Sequence, residues 1–220
     1  MATKFTWVDG FFLVVWVLPL VYLIRVYPSL GATLPIHFDM AGKPNGYGSR
    51  GAFVAAVLTL SGIGLGTALL IRFLPRIDPK NKAKYSEAIF VRISHALLLF
   101  MSLLSAVIVY AAVNGHFTLS QKFLYPMLGL FFAYLGNLFN NVKPNYFVGI
   151  RTPWTLENEV VWRKTHKLAA RIWLPGGLLL ALLGWILPQT AVHAVFITVT
   201  LIMAIVPVAY SYILFRQIPK

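Results

Sequence analysis

The chain has 220 residues, 59% of them hydrophobic and only 11% charged, a surplus of apolar side chains that a water-soluble fold of this size has no interior to hold. The absence of cysteine excludes disulfides, thiolate metal sites and a cysteine nucleophile. The net charge of +13 reads as attraction to a bilayer with anionic headgroups, at about 1 kcal/mol per basic residue near the surface. No nucleic-acid-binding motif accompanies it, so direct nucleic-acid binding is not expected.

Six apolar stretches follow in order, at about 5–27, 52–74, 88–113, 123–142, 168–187 and 191–215. Each can cross a hydrocarbon core of ~30 Å, which takes ~20 helical residues. The predicted fold is an all-α, multi-pass integral membrane protein with about six transmembrane helices. The first stretch is too long for a secretory signal and is followed by Arg25, Tyr27 and Pro28 instead of a small-residue cleavage site, so it is retained as a helix.

Between the first two stretches lies a loop, 28–50, longer than a connection requires. Leu34 to Asp39 reads as an extended segment, and Gly42 to Gly48 as consecutive turns. Within it His37, Phe38, Asp39, Gly42, Asn45, Gly46 and Tyr47 are the candidate site residues. His37 and Asp39, two apart, point the same way on a strand. They are weak metal candidates, since two ligands fall short of a site, and a pair stabilising the loop is the preferred reading. In the second stretch Gly62 and Gly66, with Gly64 between them, form a small-xxx-small step that lets another helix approach. The predicted helix centres hold no ionisable group: Asp9 and Arg25 sit near ends, and His95 and His193 near the starts of the third and sixth helices. That disfavours proton-coupled transport.

The fourth stretch carries Asn137, Asn140 and Asn141 on one face, amides predicted to face protein and not lipid. The loop after it, 142–167, is the second structured connection. A helix start is signalled by Thr152 as N-cap with Pro153 at the first position, or by Thr155, with Glu157 and Glu159 near the positive end of the dipole. This helix is predicted to run into the fifth span, bending at Pro175-Gly176-Gly177. Glu159, Trp162, His166 and Trp173 then share a stripe, and Glu159 pairs with Arg163 at i,i+4. Glu159 and His166 invite an acid–base or metal reading, but their spacing matches no zinc-helix signature and no third ligand lies near. The residues lean away from catalysis and imply no cofactor; an interfacial helix with tryptophans at headgroup depth is the plainer reading. The last two stretches, separated by Pro188, Gln189 and Thr190, read as a tight helical hairpin.

Orientation follows from the basic residues, which resist translocation in short loops. With both termini inside, Lys4, Arg72, Arg76, Lys80, Lys82, Lys84, Arg92, Lys143, Arg151, Arg163, Lys164, Lys167, Arg171, Arg216 and Lys220 are cytoplasmic, and only Arg25, Lys43, Arg50 and Lys122 lie outside. The loop 28–50 is then external and the loop 142–167 internal.

The internal stretch Asn145-Tyr146-Phe147-Val148-Gly149-Ile150-Arg151-Thr152-Pro153-Trp154-Thr155-Leu156, continued by Val161-Trp162-Arg163-Lys164-Thr165-His166-Lys167, resembles the signature of the SdpI family of bacterial membrane proteins. The external Leu34-Pro35-Ile36-His37-Phe38, with Gly42 to Gly48, is similar to the uncharacterised domain that often precedes the SdpI module. On that resemblance residues 1–80 form an N-terminal two-helix module and 81–220 an SdpI-like four-helix module. It implies a multi-pass protein of the bacterial cytoplasmic membrane, acting as an immunity factor against a secreted peptide toxin. It further implies capture of a transcriptional repressor at the inner face. Asn145, Gly149, Arg151, Thr152, Pro153, Trp154, Thr155, Glu159, Trp162, Thr165 and His166 are the signature positions. The alternatives are a small-molecule transporter or channel, and a membrane-embedded enzyme acting on lipid or cell-wall precursors.

Overall fold

A computed structural model of the protein describes residues 5–39, 44–77, 87–114 and 117–218. It contains α1 (Trp7–Val26), a short 3-10 turn (Tyr27–Ser29), β1 (Thr33–Phe38), β2 (Pro44–Ser49), α2 (Arg50–Ile77), α3 (Glu87–Asn114), α4 (Phe117–Phe139), α5 (Pro153–Glu157), α6 (Glu159–Ile186) and α7 (Gln189–Gln217). Gly42 and the basic residues Lys80, Lys82 and Lys84 lie outside the described residues.

Six of the helices have 20 to 29 residues. At about 1.5 Å per residue that is enough for a hydrocarbon core. Five of the six, α1, α2, α3, α6 and α7, are also apolar enough to cross a membrane. The chain is therefore a multi-pass membrane protein. The fourth predicted span, α4, is not among the five; its sequence is diluted by Lys122, Pro126, Gly129, Gly136 and Asn137. It still runs the length of the bundle. Near its start Tyr125 packs edge-on to His193 at the beginning of α7, and at its end Phe139 packs on His166 at the beginning of α6.

The same pairing of ends holds throughout. The last turns of α1 and α3 and the first turns of α2 share a core, Leu23, Leu30, Leu34, Phe53, Val57, Val109 and Ala112, which also seats the hairpin β1–β2. At the other end Ile89 of α3, Leu138 and Phe139 of α4, Val142, and Trp162, Ala169 and Ala170 of α6 form a second core. Six helices thus pass up and down, and the two structured loops occupy opposite ends.

Two connections depart from the sequence expectations, each for a local reason, and a third agrees with them. Residues 44–48, read as turns, are part of a strand, because β2 pairs antiparallel with β1 (Thr33 opposite Ser49, Leu34 opposite Gly48) and the ladder satisfies their backbone groups. The helix expected to run unbroken from Thr152 is two helices. Asn158 leaves the helical region (φ −128°, ψ 117°), and its side chain caps the new helix by accepting from Val160 N and Val161 N at 2.8 and 3.1 Å. Pro188 caps α7 directly after Leu187 ends α6, the tight hairpin expected there.

The close helix approach also lies elsewhere than predicted. A Cβ on Gly62 or Gly66 would meet nothing within 4 Å; only Gly64, between them, packs against a neighbour, Met101 of α3. The tight seam joins α4 to α6. There a Cβ on Gly177 would come within 2.5 Å of Gly129 O, and one on Gly129 within 2.6 Å of Gly177 O, so the two backbones touch. Dispersion between backbones, unavailable to larger residues, holds α4 beside α6 where lipid offers no hydrophobic drive.

On the far side α1, α2 and α3 are tied by polar contacts. Trp16 donates its indole N–H to Ser61 O at 3.0 Å, Ser61 and Ser105 hydroxyls meet at 3.3 Å, and Ser102 donates to Val15 O at 3.2 Å. Asp9, only 5% exposed, joins all three helices: it binds Arg72 of α2 through both carboxylate oxygens and accepts from His95 Nε2 of α3 at 2.7 Å. Its second oxygen also accepts from Thr6 N at 2.7 Å, closing a capping box at the start of α1.

Candidate functional site

The loop between α4 and α6 is held by its own side chains. Asn145, 1% exposed, acts as a hub: its amide donates to Lys143 O and Val148 O at 2.9 and 3.0 Å, and its carbonyl accepts from Phe147 N and Val148 N at 2.8 and 2.7 Å. Such Asx geometry replaces backbone partners that a loop lacks. Gly149 then turns with φ +115°, a conformation that side-chain-bearing residues rarely adopt. A Cβ there would overlap His166 Nε2. Arg151 donates to Tyr146 O across the turn.

Next, Thr152 and Thr155 form a reciprocal cap around Pro153 at the start of α5, and Thr155 also donates to Ile150 O at 2.9 Å. Trp154 donates its indole N–H to the buried Ser211 hydroxyl of α7 at 2.5 Å and packs edge-on to Tyr212. Trp162, 1% exposed, donates to Val142 O at 2.8 Å and stacks on His166 at 4.1 Å between ring centres.

His166, also 1% exposed, sits on α6 against the loop. Its Nε2 accepts from Ile150 N at 3.0 Å, and its Nδ1 donates to Trp162 O at 2.8 Å. Both ring nitrogens of the neutral ring are thereby engaged, leaving no lone pair for a metal or for proton abstraction. Its role is to clasp the loop to α6. Thr165, 0% exposed, is the exception among the buried polar signature residues, with its hydroxyl unpartnered. Glu159 and Arg163 form no ion pair, contrary to the i,i+4 expectation; both are exposed and line a cleft of about 600 Å³ with Asn140, Asn141, Lys143, Val160 and Trp162.

Asn137, Asn140 and Asn141 are not buried against neighbouring helices, contrary to the sequence expectation. All three are exposed, while Leu138 and Phe139 beside them are buried, because α4 ends at Phe139 and turns its apolar residues onto α6.

At the opposite end, His37 turns to Asn45 across the hairpin, Nδ1 to Oδ1 at 2.5 Å, and not to Asp39. Gly46 is required beside it, since a Cβ there would stand 2.8 Å from His37 Cβ. Tyr47 is exposed. Asp39 and Phe38 instead line a cavity of about 500 Å³ beneath the hairpin, walled by Phe53, Val57, Leu104 and Ile108, with Tyr125 and His193 among its polar groups. Sequence reasoning missed this cavity, because its walls come from α2, α3, α4 and α7, far apart along the chain. Among the described residues no group of three or more His, Cys, Asp or Glu is placed to hold a metal.

Known proteins were compared with the chain. Residues 141–211 match the SdpI/YfhL protein family, and residues 14–60 match a domain of unknown function, DUF1648. Immunity protein SdpI of Bacillus subtilis (strain 168) is 29% identical over 86 residues, a segment covering 39% of this chain and 42% of that protein. No solved structure matches. The matched stretch 141–211 takes in the self-clasped loop, α5, α6 and most of α7, and there the chain is similar to the SdpI/YfhL family; the stretch 14–60 takes in the hairpin with the adjoining parts of α1 and α2, and there it is similar to DUF1648.

Proposed function

We propose that the protein is an immunity-type receptor of the bacterial cytoplasmic membrane, which binds a secreted antimicrobial peptide at the hairpin end and reports occupancy at the end built by the signature loop. The hairpin end is placed outside by the distribution of lysine and arginine. The observation that carries the reading is the cavity of about 500 Å³ beneath the hairpin: its apolar walls suit the apolar side chains of a membrane-active peptide, and Asp39 at its edge suits a basic group. The match to an immunity protein supports the same role. The fixed signature loop, with Arg151, Arg163, Lys164, Lys167 and Arg171 exposed around it, offers a basic surface for a transcriptional repressor at the inner face.

The test is a deletion strain of the source bacterium challenged with culture supernatant of its siblings and complemented with the wild-type gene or Val107→Trp, which fills the cavity. Wild type restores survival; Val107→Trp, present in the membrane at equal level, does not. Equal protection by both would reject the cavity as the recognition site.

A further inference from the structure

The buried polar signature residues, Thr165 apart, spend their polar atoms within the fold, whereas the cleft they support presents exposed ones, the signature residue Glu159 among them. Its walls are the end of α4 with the residues after it (Asn140, Asn141, Lys143) and the first two turns of α6 (Glu159, Arg163), and its floor is the stacked pair Trp162 and His166. Asn140, Asn141, Glu159 and Arg163 are exposed, and their side chains make no hydrogen bond or ion pair with other described residues. The fold thus builds a concavity lined largely by apolar groups, Phe139, Val142, Pro144, Val160 and Trp162, and leaves two amides, a guanidinium and a carboxylate at it.

Its position narrows the ligand. The cleft sits where α4 ends and α6 begins, at the level of the helix ends and so of the lipid headgroups, with half-exposed Val160 in its wall. Trp154 and Tyr212, at the same end of the bundle, are residues of the kind that anchor proteins at that depth. Its charges are of both signs. A purely anionic headgroup would meet Glu159 unfavourably, whereas a headgroup carrying both a phosphate and an ammonium can satisfy every wall.

We propose that this cleft binds the headgroup of a zwitterionic aminophospholipid, the phosphate against Arg163 and the asparagine amides and the ammonium against Glu159. A guanidinium can take two phosphate oxygens at once, and the amides supply further donors. Bound lipid would fix the end of α4 relative to α6 at the base of the signature loop. This site is independent of the peptide-receptor reading.

The experiment uses the purified full-length protein in detergent, with native mass spectrometry of lipid adducts. The probes are phosphatidylethanolamine, phosphatidylglycerol, the soluble glycerophosphoethanolamine and inorganic phosphate. The expected result is retention of phosphatidylethanolamine about tenfold over phosphatidylglycerol, a difference of about 1.4 kcal/mol. Arg163→Gln lowers retention of both lipids, and Glu159→Gln brings the two to parity by weakening only the ethanolamine lipid. Both substitutions are at exposed positions, and unchanged melting temperatures verify folding. Equal retention of the two lipids by wild type, or a lipid preference that Glu159→Gln leaves intact, would overturn the proposal. Binding of glycerophosphoethanolamine or phosphate as tight as the lipid would overturn the lipid as its source.

Discussion

Gly149→Ala tests whether the signature loop is a clasp. The substitution acts twice: it places a side chain at φ +115°, and it drives a Cβ into His166 Nε2, the atom that accepts from Ile150 N. Strain of that backbone kind costs about 1–3 kcal/mol. Displacing the imidazole leaves a buried donor and acceptor without partners, about 1–3 kcal/mol more. The combined loss, about 2–6 kcal/mol, is a large part of a typical stability of about 5–15 kcal/mol. Hydrogen exchange in detergent micelles reads it at the amide of Ile150, where protection should fall by at least one order of magnitude, while thermal melting reads it globally. Adding His166→Ala removes the overlap and not the backbone strain, so the double variant remains below His166→Ala alone. Unchanged Ile150 protection and melting temperature in Gly149→Ala would refute the clasp.

Four further outcomes follow from the packing. Gly177→Ala pushes α4 from α6 and should cost about 1–3 kcal/mol by overpacking. Gly62→Ala, in open space, should be neutral or stabilise α2 by up to about 1 kcal/mol; melting temperatures of the pair decide between the observed seam and the sequence-predicted one. Arg72→Met leaves the buried Asp9 carboxylate with only His95 and Thr6 and should cost up to about 3–5 kcal/mol, part of it recovered in Asp9→Leu/Arg72→Met, which in turn deprives His95 of its acceptor; no recovery in the double variant would mean that the ion pair itself stabilises the bundle. Thr165→Val removes a buried hydroxyl that has no partner and should be neutral or stabilising in a melting assay, whereas a loss above about 1 kcal/mol would show that the hydroxyl is engaged.

Membrane character, the positions of the helices and the two structured loops were legible in the sequence because they depend on local quantities: runs of apolar residues, Gly- and Asn-rich connections, and the Thr152-Pro153 start signal. Thr152 does cap a helix, but Asn158 also satisfies the requirements of a cap, and local rules gave no reason for α5 to stop there. What depends on distant residues was not legible. Asp9, Arg72 and His95 stand 63 and 86 positions apart from one another along the chain, as Asp9 to Arg72 and Asp9 to His95, so their meeting appears only in the folded bundle. The glycine seam was missed for the same reason: Gly129 and Gly177 have no sequence spacing in common, whereas Gly62 and Gly66 have the familiar spacing and face outward. His166 was recognised as a signature position, but its role required the partner of each ring nitrogen.

The central claim, that occupancy of the hairpin-end cavity confers immunity, is tested most directly by survival of the source bacterium. Deletion should sensitise cells to peptides in sibling supernatant, the wild-type gene should restore survival, and Val107→Trp at equal membrane level should not. Equal survival of the deletion strain and its parent in that supernatant would contradict it.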